Sequence, residues 1–184
     1  MVENDIAVLV IGGGIAGIQT ALDLGDMGFE VHLVEKTPSI GGRMAQLDKT
    51  FPTLDCSICI LAPKMADCSR HPNIEVHTLS EVKEVKGSAG NFTVTVQKHA
   101  RFVKEEECVN CGECAAKCPV KVPDEFDMQL RRREAIYQYF LQGVPAVMAI
   151  DKDHCLQLTR GVCGICKKIC TTDAIDFEQK DTDI

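Results

Sequence analysis

Eight of the chain's eleven cysteines lie between Cys108 and Cys170, and their spacing restricts the second half of the sequence to folds that can wrap metal. Cys108, Cys111, Cys114 and Cys118, followed by Pro119, fit C-x2-C-x2-C-x3-C-P. In a second run, Cys155 precedes Cys163, Cys166 and Cys170, and these last three repeat the closing spacing of the first run. Three thiolates at i, i+3 and i+6 can hold three corners of one cubane, while a fourth beyond a short turn reaches the neighbouring cluster. The expected ligand sets are Cys108, Cys111, Cys114 and Cys170 for one [4Fe-4S] cluster, and Cys118, Cys155, Cys163 and Cys166 for a second. All-cysteine zinc sites generally offer two separated CxxC pairs, so a compressed triplet with Cys-Pro favours iron-sulfur. Thr171 follows Cys170 where the first run has proline, which weakens a turn signal and removes no ligand.

The uneven cysteine placement also divides the chain of 184 residues. A boundary near residue 100, at "KHARFVK", separates a body expected over 1–100 from a small α+β ferredoxin-like domain over 101–184, a size that usually needs staples or metal. A net charge of −7 argues against a nucleic-acid surface, because phosphate binding rests on clustered Lys and Arg. No apolar run reaches the roughly 18 residues of a membrane span. The acidic flank "MVEND" is unlike a secretory leader, so a reducing cytoplasm is expected, where cysteine clusters are read as metal or redox sites before disulfides.

"IAVLVIG", from Ile6 to Gly12, is a continuous apolar run suited to a parallel strand buried on both faces. It enters Gly12-Gly13-Gly14-Ile15-Ala16-Gly17, then an approximate helical stripe ending near Gly28, then a second strand, "EVHLVE". Strand, glycine loop, helix and strand together predict a Rossmann-like dinucleotide site. Gly12 permits the tight turn, Gly14 lets backbone approach a pyrophosphate, and Gly17 lets helix and strand pack closely. Glu35 closes the second strand, where a carboxylate can accept from an adenosine ribose and disfavours a 2′-phosphate, pointing to FAD or NAD over NADP. Ala16 in the loop and Lys36 beside Glu35 belong to the same expected cofactor-binding set.

Gly41-Gly42-Arg43 is similar to a segment of two-dinucleotide-binding flavoproteins that lies along the cofactor, which implies FAD and adds Gly42 and Arg43 to the site. Farther on, "IEVHTL", "EVKEVKG", "NFTVTVQK" and "ARFV" read as a third sheet strand and an antiparallel layer. Cys56 and Cys59 form a CxxC with two readings: a redox dithiol facing a flavin, or half the ligands of a metal cluster. Cys68 is either a further ligand or a buried free thiol. The spacer from Val120 to Asp151 reads as a short helix followed by a strand or extended return, with Arg131 to Arg133 on a solvated helix face.

"VIGGGIAGIQTALDL", "GGRMAQLDKTFPTLDCSICILAPKM", "SRHPNIEV", the Cys108 to Pro119 quartet and "CGICKKICTTDAIDF" together resemble the flavin and ferredoxin portion of the heterodisulfide reductase A-subunit family. The resemblance spans nearly the whole chain. It implies an electron hub in which FAD receives an electron pair from a hydrogenase or formate dehydrogenase module. The pair is then divided between a ferredoxin branch and a branch ending at a disulfide substrate. It also implies a third [4Fe-4S] cluster at Cys56 and Cys59, completed by ligands from elsewhere, whereas Cys68 matches no family ligand position. Members are several times longer and complete the flavin site after the ferredoxin segment. Partner subunits, including a chain completing that site, are therefore expected if the chain is one part of a split protein and not a fragment.

The expected function is electron relay between FAD and [4Fe-4S] clusters in a heterodisulfide-reductase-like oxidoreductase complex. Two rivals differ in class. One is an electron wire or assembly subunit with an empty Rossmann-like half, and the other a flavin-dependent disulfide oxidoreductase using Cys56 and Cys59.

Overall fold

The first strand pairs in parallel with the second and the second with the third, giving the order β1-β2-β3 over Ala7–Ile11, Glu30–Val34 and Ile74–His77. This structure is a computed structural model, and it describes residues 7–184, so Ile6 and the acidic flank before it lie outside the described residues. Apolar Val31 and Leu33, fully buried, face the helices, and alternation sends His32 to the opposite face. Helix α1 (Ile15–Asp26) crosses from β1 to β2, and α2 (Ser57–Arg70) leads into β3. The two helices pack on each other, and Ile18 and Ala21 on α1 and Leu61, Met65 and Cys68 on α2 are fully buried. Only a shared apolar stripe on each helix permits that.

Helix α2 is not legible in the sequence as an element. Pro63 lies inside it, and the CxxC directs attention to sulfur chemistry, yet Leu61, Met65 and Cys68 fall at helical spacing. Cys68 is the buried alternative of the two readings: it is a free thiol with no exposure, and burial pushes its pKa up to about 11. Strands β4 (Ser80–Ser88) and β5 (Asn91–Lys98) form the expected hairpin, turning at Ala89 and Gly90, with a bulge between Val82 and Glu84. "ARFV" does not extend this layer. Val103 makes only an isolated bridge with Ile175, and β5 pairs instead with Thr182–Asp183.

Contacts divide the chain into two compact units, one running through His99 and including Asp181–Ile184, the other Ala100–Lys180. Within the second unit, β6 (Lys121–Pro123) pairs with β7 (Arg132–Glu134), and β8 (Ile136–Tyr137) with β9 (Ala149–Ile150). Three helices of four or five residues complete it: α3 (Glu113–Ala116), α4 (Leu156–Arg160) and α5 (Ile165–Ile169). Its core mixes Val103, Ala135, Ile136, Val147, Met148 and Ile150 with the sulfurs of Cys114, Cys155 and Cys166. A core this small is part thiol.

The spacer departs from expectation. It holds turns and short strands where a helix was expected, because Arg133 is drawn inward by acids distant in sequence. Its guanidinium donates to both carboxylate oxygens of Glu125, each at 2.7 Å, and to Asp151 Oδ2 at 3.0 Å. It also lies 3.8 Å from the Tyr137 ring centroid. Burial would raise the Asp151 pKa, but hydrogen bonds from His154 and Arg133 outweigh it and hold the carboxyl below its ordinary value. Arg133→Gln leaves the nearly buried Asp151 without its fixed cation and should cost about 3 kcal/mol. A denaturant titration checks this, and an unchanged midpoint refutes it.

Candidate dinucleotide and cluster sites

The glycine loop is shaped by collisions that a side chain would cause. Gly12 has φ of +101°, a conformation L side chains rarely adopt. A Cβ on Gly17 would stand 1.9 Å from the Gly12 carbonyl oxygen, so the first turn of α1 closes onto the loop only with glycine there. Gly14 differs. Its φ of −75° is ordinary and a Cβ would meet nothing within 4 Å, so its lack of a side chain leaves an open space instead of relieving a clash. As the cap residue it offers no side-chain acceptor, which leaves the first amides of α1 available to an anion.

The second glycine pair supports the first. Gly41 N donates to Gly13 O at 2.7 Å, Gly14 bridges Gly41, and a Cβ on Gly42 would lie 2.8 Å from Gly14 Cα. Glu35 stands at the same place: Oε2 accepts from Gly13 N at 2.7 Å and Oε1 from Thr37 N at 2.8 Å. The Thr37 hydroxyl lies 2.9 Å from Oε1 and 2.7 Å from the Ser39 carbonyl. A carboxylate has about four acceptor positions, so Glu35 keeps capacity for a ribose hydroxyl while being held in place by backbone. Sequence reasoning misses Thr37 and Ser39; a Thr-Pro-Ser turn directly after the acid is the available signal. Ala16, Lys36, Gly42 and Arg43 line no buried wall, and Arg43 donates to Gln46 Oε1 at 3.1 Å.

Cys56 and Cys59 sit exposed at the start of α2, joined as a disulfide with Cα atoms 5.3 Å apart. Cys56 caps the helix, its sulfur accepting from Cys59 N at 3.3 Å. Disulfide and cluster ligation are exclusive uses of one sulfur pair.

In the second unit the eight remaining cysteines gather as two quartets. One pocket is walled by Cys108, Cys111, Cys114 and Cys170, with Met148, Ala174 and Ile175 behind them. Asn110 Oδ1, in the same wall, is buried without a hydrogen-bond partner among the described residues. Cys166 lies within electrostatic reach of Cys155, Cys118 and Cys163. Burial pushes Cys114 up to about 12 and Cys166 up to about 11. Thiols held neutral by burial are poor nucleophiles, and a donor set of four sulfurs suits iron or zinc. No helix among the described residues is long and apolar enough to cross a membrane.

These features define a Rossmann-like dinucleotide-binding unit joined in one chain to a cysteine-rich unit, and the family described as the NAD(P)-binding Rossmann-like domain matches residues 10–71. Over 94–100% of its length the chain is similar to the following three relatives. The iron-sulfur A-subunit of CoB–CoM heterodisulfide reductase from Methanocaldococcus jannaschii is 57% identical over 184 residues, covering 100% of this chain and 27% of the relative. The A-subunit of the H2:CoB-CoM heterodisulfide,ferredoxin reductase from Methanothermobacter thermautotrophicus is 52% identical over 183 residues, again 100% of the chain and 27% of the relative. The second iron-sulfur A-subunit of CoB–CoM heterodisulfide reductase from Methanopyrus kandleri is 62% identical over 172 residues, covering 94% and 26%. The chain belongs to the heterodisulfide reductase A-subunit family. It spans about a quarter of the length of the curated relatives it matches.

Proposed function

We propose that the chain binds FAD in its first unit and two [4Fe-4S] clusters in its second, and relays electrons between them within a heterodisulfide-reductase-like complex. The observation that carries this reading is the grouping of Cys108, Cys111, Cys114 and Cys170 around one pocket, because that set crosses the two sequence runs. The open space beside Gly14, above an uncapped helix start, supports the dinucleotide. FAD, when bound, exchanges electrons in pairs or singly, which suits passage between a two-electron donor and one-electron clusters. The chain's own residues position it: Gly14 and the α1 amides receive the pyrophosphate, and Glu35 accepts from the ribose. Partner subunits complete the flavin site, and a hydrogenase or formate dehydrogenase module and ferredoxin serve as exchange partners. The cytoplasm is the setting, and flavin-based division of an electron pair belongs to the same proposal.

A second reading is favoured by one observation, the exposed disulfide at the start of α2. A CxxC in that position is suited to redox exchange, since a helix N-terminus stabilises a thiolate. One anaerobic preparation, assayed with its partners for flavin, iron and thiols, separates the readings. About eight irons per chain and bound flavin are expected. About four further irons that disappear in Cys56→Ala would assign these cysteines to a third cluster, whereas two titratable thiols without added iron assign them to a dithiol. Flavin-free protein under these conditions refutes the FAD half of the proposal.

A further inference from the structure

The sheet face opposite the helices should be apolar where it meets the β4–β5 hairpin, and most of it is. Ala7, Leu9, Ile11 and Val34 line a cleft of about 900 Å³ whose far wall includes Phe92 and Val96. Into this cleft the strand register places three donors. His32 on β2 stands directly beside Glu75 on β3, and His77, two residues on, shares their face. His32 Nδ1 and His77 Nε2 are 3.1 Å apart, His32 Nδ1 and Glu75 Oε2 3.4 Å, and His77 Nε2 and Glu75 Oε2 3.7 Å. The same three atoms form every edge of this triangle.

Its dimensions are informative. A tetrahedral ion with bonds of about 2.0–2.1 Å to nitrogen and oxygen holds its ligand atoms about 3.3–3.4 Å apart, in the middle of the observed edges. The two ring planes lie 24° from parallel with centroids 5.4 Å apart, and the 3.1 Å separation of Nδ1 and Nε2 is their close approach. Two imidazoles and a carboxylate are a donor set found at catalytic zinc, where three protein ligands leave one position open. Charge around the site is mixed: Glu30 Oε1 lies 3.8 Å from His32 Nε2, while Lys98 on β5 also lines the cleft. Burial lowers the His77 pKa; Glu75 opposes this, and His32 and Lys98 add to it.

We propose that His32 Nδ1, His77 Nε2 and Glu75 Oε2 bind a divalent transition-metal ion of the zinc class, with its fourth position open to the cleft. The site is separate from the cysteines and stands whether or not FAD binds.

The test uses anaerobically purified, cluster-loaded chain, so that the eight cysteines are occupied, equilibrated with Zn2+ and then dialysed. One retained zinc per chain is expected, and zinc-edge X-ray absorption should show only nitrogen and oxygen neighbours at about 2.0–2.1 Å. Glu75 is largely exposed, so Glu75→Gln should leave the fold intact while weakening zinc binding by roughly tenfold or more, at least the loss seen for partners one shell further out. His32→Gln with His77→Gln should abolish retention. A sulfur shell at about 2.3 Å, zinc binding unchanged by Glu75→Gln, or no zinc retained by the wild type would overturn the proposal, the last leaving the pair as an internal hydrogen bond.

Discussion

Gly14→Val is expected to abolish flavin binding while leaving the fold in place, weakening FAD by at least roughly a hundredfold, or about 2.7 kcal/mol. The asymmetry within the glycine loop is the reason. At Gly14 the backbone is in ordinary extended conformation and the space around a Cβ is empty, so valine fits the protein and fills the place of a pyrophosphate. At Gly17 the same substitution puts a Cβ 1.9 Å from the Gly12 carbonyl, which no rotamer relieves. Gly17→Val should therefore cost about 3 kcal/mol or more and broaden the thermal transition before binding is considered. Circular dichroism and flavin retention, measured on both variants with partner subunits present, distinguish blocked binding from lost structure. Equal flavin in wild type and Gly14→Val would sink the dinucleotide reading.

The second large effect concerns which cysteines share a cluster. With ligand sets exchanged between the runs, Cys108→Ala with Cys170→Ala removes one cluster and leaves about four irons, whereas Cys108→Ala with Cys118→Ala removes both and leaves almost none. If each run held its own cluster, the two results would be interchanged. The comparison needs only iron per chain. Cys118→Ala alone, retaining about four irons, serves as the control for folding, which matters because Cys114, Cys155 and Cys166 are part of this unit's buried core. A unit so dependent on sulfur should lose compactness as iron is removed.

The legible parts of this protein are those whose physics is local. A glycine that must adopt positive φ, an apolar β-branched run before it and an amphipathic stripe after it are encoded within a few residues, and Gly12, β1 and α1 can be read for that reason. The hairpin of β4 and β5 announces itself by alternation and by its Gly90 turn. Helix α2 is hidden because an internal proline and the CxxC mask a stripe of only a few buried residues. In the spacer, local charge suggests solvated arginines, while the partners of Arg133 lie 8 and 18 residues away. Nothing near Arg133 in sequence specifies that Glu125 and Asp151 will converge on it.

The sequence by itself determined that Gly12 and Gly17 go without a side chain and how the cysteines are spaced. Tertiary structure alone decided that β5 takes its outer partner from Thr182–Asp183, that Arg133 turns inward to Glu125 and Asp151, and that His32 and His77, 45 residues apart, meet nitrogen to nitrogen. The division has one cause: spacing and conformational preference act within a turn or a strand, whereas strand register and burial are set by whichever distant segments pack most apolar surface together.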